Sequence, residues 1–283
     1  MDSFKIIDES FDSNISLSYF LSIRLNTDGL SFCTLDPVRN KYIQISHLAL
    51  NSELPTIPQL EKFFSTTDIL NLPFKKTFIL IPTQIATLVP TGIFDPDKAK
   101  TLLQFCCDVP ENSFVHFNKI RQADAFNIFS IDEDIVEFFK RQFPDLFFFH
   151  QNTPLIEGIL SSAMMYVNEM KTLCINFNLD FFDLIIFEKS GLKFCNSFPI
   201  KSETDFLYYT LFTVEQLNLT ESSTTVYISG INESSKKYPT ELSRYFSKIK
   251  QTELPSAFRY GTIFKDSRIT GFYDLLSLPL CVL

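Results

Sequence analysis

The stretch Lys171–Ile200, KTLCINFNLDFFDLIIFEKSGLKFCNSFPI, decides the fold. Leu173, Ile175 and Phe177 alternate with Cys174, Asn176 and Asn178, a second apolar run covers Asp183 to Phe187, and a third spans Leu192 to Phe198. The polar turn Glu188-Lys189-Ser190-Gly191 separates the second from the third. Period-two patterning interrupted by short, Gly-containing turns specifies an antiparallel three-stranded meander. A helix is predicted next, because Ser202 is a good N-cap, Glu203 and Asp205 complement the first turn's dipole, and apolar side chains run from Phe206 to Leu217.

The same order of elements occurs earlier in the chain. After a polar N-terminus, read as a mobile arm, Leu17–Leu25 alternates, Asn26-Thr27-Asp28-Gly29 supplies a turn, and Leu30–Leu35 alternates again. Asp36–Asn40 is a second turn and Lys41–Leu48 a third strand, followed by a helix over Pro58–Ile69 and a buried strand, Lys76–Ile81, matched later by Thr224–Ser229. The halves then diverge. The first inserts Thr87–Ile131, predicted as a strand ending at Pro90, a helix from Asp95-Pro96 to Cys107, and strands Ser113–Ile120 and Ala125–Ile131. A helix from Asp132-Glu133-Asp134 stops before Pro144, Leu146–His150 is a strand, and Thr153-Pro154 opens a helix reaching Val167. The second half closes with a helix over Tyr238–Phe246, a strand or two between Ile249 and Phe264, and a helix over Ser267–Leu276.

Two such units make an α/β, duplicated ribonuclease-H-like chain: a first lobe over 1–170 with an inserted β-α-β-β subdomain at about 87–131, and a second over 171–283.

Composition narrows the function classes. A net charge of −8 with scattered basic residues argues against a nucleic-acid partner; only Lys75-Lys76 and Lys236-Lys237 place basic residues side by side. Residues 1–16 carry Asp2, Asp8, Glu9 and Asp12, opposite in sign to the head of a signal peptide, and no apolar run is long enough to span a bilayer. The six cysteines lack metal-type spacing, which together with the charge pattern leads us to expect a cytoplasmic protein. Phe is abundant (32) and Gly scarce (7), and loops that wrap phosphates need Gly so that backbone amides approach the anion.

The element order resembles the actin-like ATPase superfamily, in which nucleotide sits between two lobes on Gly-rich hairpin turns. The insertion is similar to that of the type IV pilus assembly protein PilM and of the cytoplasmic actin-like domain of type II secretion systems. The chain also resembles an uncharacterised Bacteroidetes domain-of-unknown-function family, DUF3822. The superfamily's second phosphate turn, apolar-apolar-Asp-x-Gly-Gly-Gly-Thr-Thr-Asp, laid over Cys174–Asp183 puts Asn176 at the first Asp, Asn178-Leu179-Asp180 at the glycines and Asp183 at the last Asp, a position that also commonly caps a turn locally. In the first turn, Arg24 falls at the metal-organising Asp and Asn26-Thr27-Asp28 at the Gly and hydroxyl residues. Of the Gly-Gly that follows the superfamily's adenosine strand, Gly230 remains, and a strand-end turn explains it better. An Asp28 or Asp180 carboxylate beside a triphosphate is repelled by about 1 kcal/mol even at water's dielectric.

Other constellations have structural explanations. His47, His116 and His150 each lie in or beside a predicted strand, where His is usually a satisfied structural residue. Asp132-Glu133-Asp134 fits a helix's first turn, Cys106-Cys107 fits helix packing, and Phe147-Phe148-Phe149 and Phe181-Phe182 fit core or inter-lobe packing. The expectation is a non-catalytic actin-like module that binds another protein, with no catalytic residues, metal or cofactor, and homo-oligomerisation open. The alternative is an ATP-binding protein or ATPase with atypical phosphate loops, using Asn176, Asn178, Asp183 and Gly230.

Overall fold

The computed structural model describes residues 3–50, 56–162, 171–188, 191–220, 224–231 and 235–282. The first correction comes at the N-terminus. The expected mobile arm contains strand β1 (Phe4–Ile7), antiparallel to β4 (Lys41–Ala49) with Phe4 opposite His47. β2 (Phe20–Asn26), β3 (Gly29–Asp36) and β4 form the predicted meander, and β5 (Lys76–Ile81) and β9 (Leu146–His150) extend it in parallel. The second sheet repeats this with β10 (Lys171–Phe177), β11 (Phe181–Glu188), β12 (Gly191–Pro199), β13 (Thr224–Ser229) and β14 (Ile249–Gln251). The strand orders β4-β3-β2-β5-β9 and β12-β11-β10-β13-β14 are equivalent, so the two lobes share one ribonuclease-H-like topology.

The inserted block forms its own antiparallel sheet, β6 (Ala86–Pro90), β8 (Ala125–Asp132) and β7 (Ser113–Ile120), with helix α2 (Ala99–Cys106) packing Ala99 and Leu103 against Val89 and Ile128. Cys106 and Cys107 do not share a packing role: Cys106 is exposed, while Cys107 packs against this small core. Cys106 ends the helix, and the extended backbone of Cys107 that follows turns its side chain back onto this core.

Helix α1 (Thr56–Thr66) and helix α3 (Glu133–Gln142) cover one face of the first sheet through Leu60, Phe64, Val136, Phe138 and Phe139. The Asp132 carboxylate caps α3, accepting from Asp134 N at 2.9 Å and Ile135 N at 3.4 Å. Strand alternation sends Phe148 to this face and Phe149 to the opposite one, whereas Phe147 is 45% exposed.

The lobes exchange helices. Helix α4 (Asn152–Leu160), from the first half, buries Leu155, Ile156 and Ile159 against Cys174, Ile185 and Phe187 of the second sheet. The C-terminal segment packs instead on the first sheet: Phe272, Leu275 and Leu276 meet Cys33, Phe78 and Leu80, and Tyr42 Oη donates to Leu276 O at 2.6 Å. A two-residue strand, β15 (Arg259–Tyr260), also joins β4. The long terminal helix expected over Ser267–Leu276 is a 3-10 segment (Ser267–Phe272) followed by a short α7 (Tyr273–Ser277). Helix α4 ends at Leu160, short of the expected Val167, which lies outside the described residues. On the second lobe, α5 (Glu203–Gln216) starts at the predicted Ser202 cap, and α6 ends at Leu242 (Tyr238–Leu242).

Helices α4 and α7 approach at Gly158, where a Cβ would lie 2.6 Å from Ser277 Oγ and 3.0 Å from Tyr273 Oη. Gly158→Ala therefore overpacks this junction, at about 1–3 kcal/mol, against at most about 1 kcal/mol returned by helix propensity. Denaturant unfolding should show net destabilisation, and Ser277→Gly combined with it should recover part of the loss. Additive costs in the double-mutant cycle would rule out the contact as the cause.

Candidate functional site

The tips of the β2–β3 and β10–β11 hairpins meet between the lobes, where Thr27 Oγ1 donates to Asp180 Oδ1 at 3.4 Å. Beside them opens a cleft of about 470 Å³, lined by Leu25, Asn26 and Thr27 of the first tip, Asp180 and Phe181 of the second, Gln59 of α1, Ile135 of α3, and Ile81–Gln84 after β5.

Behind the second tip lies a buried polar row, which the sheet register creates. Ser197 and Asn176 stand opposite Asp183 on either side, and Ser229 stands opposite Asn176. The fully buried Asp183 carboxylate accepts from Ser197 Oγ (2.6 Å), Asn176 Nδ2 (3.1 Å) and Asn178 Nδ2 (3.0 Å), while Ser229 Oγ donates to Asn176 Oδ1 (2.8 Å). A fourth donor crosses from the other lobe: Gln151 Nε2, at the start of α4, donates to Asp183 Oδ1 at 3.0 Å. Gln151 is itself held by Thr83, donating to its carbonyl (3.0 Å) and accepting from its amide (3.1 Å). Asp183 is thus no local turn cap but the centre of a cage built from both lobes. Burial raises its pKa to about 6, and the four hydrogen bonds only partly offset that.

His150 extends the network. Its Nδ1 accepts from Asn127 Nδ2 (2.9 Å) and Asn152 N (3.1 Å), which leaves Nε2–H to donate to Thr83 O (3.0 Å) and fixes the neutral tautomer. Burial pushes its pKa down to about 3. His47 is likewise buried, with Nδ1 2.9 Å from Ser31 Oγ, so the structural reading of these two histidines holds.

Of the sequence-predicted candidates, Asn176, Asn178 and Asp183 come together, and Gly230 adjoins them. None of these four lines the cleft. Gly230 has φ +71°, and a Cβ there would lie 2.1 Å from Phe177 O, so backbone conformation and close packing both require glycine. Arg24 points away from the tips and pairs with the fully buried Asp274 of α7 (2.9 and 3.1 Å), its guanidinium 4.9 Å from the Phe272 ring centre. Sequence reasoning missed Gln151, Thr83, Ser197 and Ser229. Pairing the predicted meander strands in register would have found Ser197, but Gln151 carries no local signal. Among the described residues, no cluster of three or more His, Cys, Asp or Glu side chains is placed to hold a metal ion, and no helix is long and apolar enough to cross a membrane.

Two matching lobes, exchanged helices and hairpin tips facing across a cleft define a protein of the actin-like ATPase fold. The chain belongs to the family described as "Protein of unknown function (DUF3822)", whose model matches residues 8–249. A Bacteroides thetaiotaomicron protein with actin-like ATPase fold and unknown function is 26% identical, with a TM-score of 0.80 over 86% of this chain and 93% of that one. The PilM-PilN type IV pilus biogenesis complex contains a chain of the same fold, 8% identical, with a TM-score of 0.58 over 92% of this chain and 97% of that one. The likenesses to DUF3822, to the actin-like ATPase fold and to PilM expected from the sequence are borne out. No curated protein matches the chain.

Two outcomes follow. Between the unfolded carboxyl's usual pKa and about 6, the folded state holds a proton on Asp183 that the unfolded state releases, so this group's contribution to stability falls as pH rises through that window. His150 acts oppositely: it stays neutral when folded, so its contribution is lost as pH falls below about 6.5. The stability of the wild type relative to Asp183→Asn should therefore be greater at pH 4 than at pH 7, by about 3 kcal/mol at full effect; a pH-independent difference in urea midpoints would refute the assignment. Arg24→Ala strands a buried Asp274 carboxylate and should cost about 3–5 kcal/mol in the same assay.

Proposed function

We propose that this chain is a non-catalytic actin-like protein that works by binding another protein. The observation that carries the reading is the cage: four amide and hydroxyl donors behind the second hairpin tip, Ser197, Asn176, Asn178 and Gln151, are directed at the chain's own Asp183 carboxylate rather than into the cleft. At the tip itself, Leu179 and Asp180 stand where glycine amides would face phosphates, and Asp180 adds negative charge to the cleft wall. At the first tip, Arg24 is bound to Asp274 and cannot organise a metal. A magnesium–nucleotide complex does not fit these residues. The PilM-PilN complex, in which a protein of this fold is held by another protein, supports the same reading by analogy alone.

The lobe boundaries at 1–170 and 171–283, the assignment of about 87–131 as a subdomain, and a cytoplasmic location are part of this proposal. The alternative, an ATP-binding protein with atypical loops, rests on the inter-lobe cleft itself, which occupies the position where this fold class receives nucleotide.

Thermal unfolding with millimolar Mg-ATP and Mg-ADP separates the readings. We expect no saturable shift, whereas a ligand at a hundred times its dissociation constant adds about 2.7 kcal/mol. A saturable rise in Tm would establish the alternative. Light scattering above the 32.7 kDa of one chain would identify a homo-oligomer.

A further inference from the structure

The cleft beside the hairpin tips has a sign and a texture of its own. Its walls are mainly apolar, from Leu25, Ile81, Pro82, Ile135 and Phe181, with the neutral hydrogen-bonding groups of Asn26, Thr27, Gln59, Thr83 and Gln84 among them. Among the described residues lining it, Asp180 is the one charged group, and no Lys, Arg or His takes part. The surroundings carry the same sign: Asp28 follows Thr27 on the first tip, and Glu133 and Asp134 form the first turn of the helix that contributes Ile135. Among the described residues, the Asp180 carboxylate receives only a long 3.4 Å contact from Thr27, which leaves lone pairs for a stronger, charged donor.

We infer that this cleft receives a basic side chain, lysine or arginine, presented on an extended segment of a partner protein, with its aliphatic stem along Ile81, Ile135 and Phe181 and its cation on Asp180. The inference rests on the protein-binding reading and names the chemistry of its partner. The volume of about 470 Å³ admits such a side chain together with an apolar neighbour. Lysine and arginine bury their methylene stems on apolar surface while the head meets a charge, and that combination is what the walls and Asp180 offer. An acidic or phosphorylated segment is disfavoured by the same carboxylates.

The test uses the full chain and four blocked peptides, Ac-Leu-Xaa-Leu-NH₂ with Xaa = Lys, Arg, Met or Glu, titrated while amide NMR signals of Asn26, Gln59 and Asp180 are followed. We expect the Lys and Arg peptides to move these signals and to bind about fivefold more tightly than Met, with Glu weakest. Raising the salt should shrink the preference. Asp180→Asn should abolish it without changing Tm, since Asp180 is exposed. Equal binding of Met and Lys would overturn the basic-side-chain inference while leaving protein binding intact. Cleft signals unmoved by every peptide, or a preference that survives in Asp180→Asn, would also overturn it. Displacement of a bound peptide by Mg-ATP would defeat the protein-binding reading as well.

Discussion

The reciprocal burial of α4 on the second sheet and α7 on the first is the constraint from which the rest of the architecture follows. Each sheet needs an apolar cover on its inner face, and each takes it from the other half of the sequence. The exchange forces the two covering helices to cross, and the crossing requires a residue without a side chain, which Gly158 supplies against Ser277. Once the crossing is fixed, the start of α4 is fixed too, and Gln151 and His150 sit at the seam because of it. The hairpin tips can then meet across the cleft, since both sheets are held at one spacing by the same pair of helices.

The seam shows what the chain does with the polar groups that this arrangement buries. A row of serine, aspartate, asparagine and serine runs across four adjacent strands, and in a sheet interior such groups are tolerable only when satisfied. Asp183 satisfies Ser197 and Asn176 on either side of it and Asn176 in turn satisfies Ser229, and the hydrogen bonds to the carboxylate offset part of the rise in pKa that burial causes. Thr83 serves a similar purpose on the first lobe, its carbonyl receiving both His150 and Gln151. His150 meets this carbonyl directly and Asp183 reaches it through Gln151, so two titratable groups with opposite pH responses share one hydrogen-bonded path between the lobes.

The legibility of the fold followed the physics of each element. Both meanders were readable because strands buried on one face alternate, and α3 and α5 because Asp132 and Ser202 cap them. β1 escaped notice as four residues inside an acidic segment, whereas β14 and β15 fall within the strand or two expected between Ile249 and Phe264. Helix α4 is buried on every side, so no amphipathic stripe marks its end. At the site, the loss of glycine from the hairpin tips was plain in the sequence. The cage was not, because Gln151 and Asp183 lie 32 residues apart and only the helix exchange joins them.

That long-range contact changes what the missing glycines mean. A glycine-poor tip alone says only that backbone amides cannot approach an anion closely. Coupled to the cage, it supports the proposed reading, because the donors converge on a carboxylate that the fold itself carries. Because that carboxylate is covalently part of β11 and one of its four donors belongs to the opposite lobe, the cage itself joins the two lobes. On the reading proposed above, the cleft in front of the tips has no phosphate to hold, and its apolar walls around the Asp180 carboxylate suit a cationic group carried by another protein.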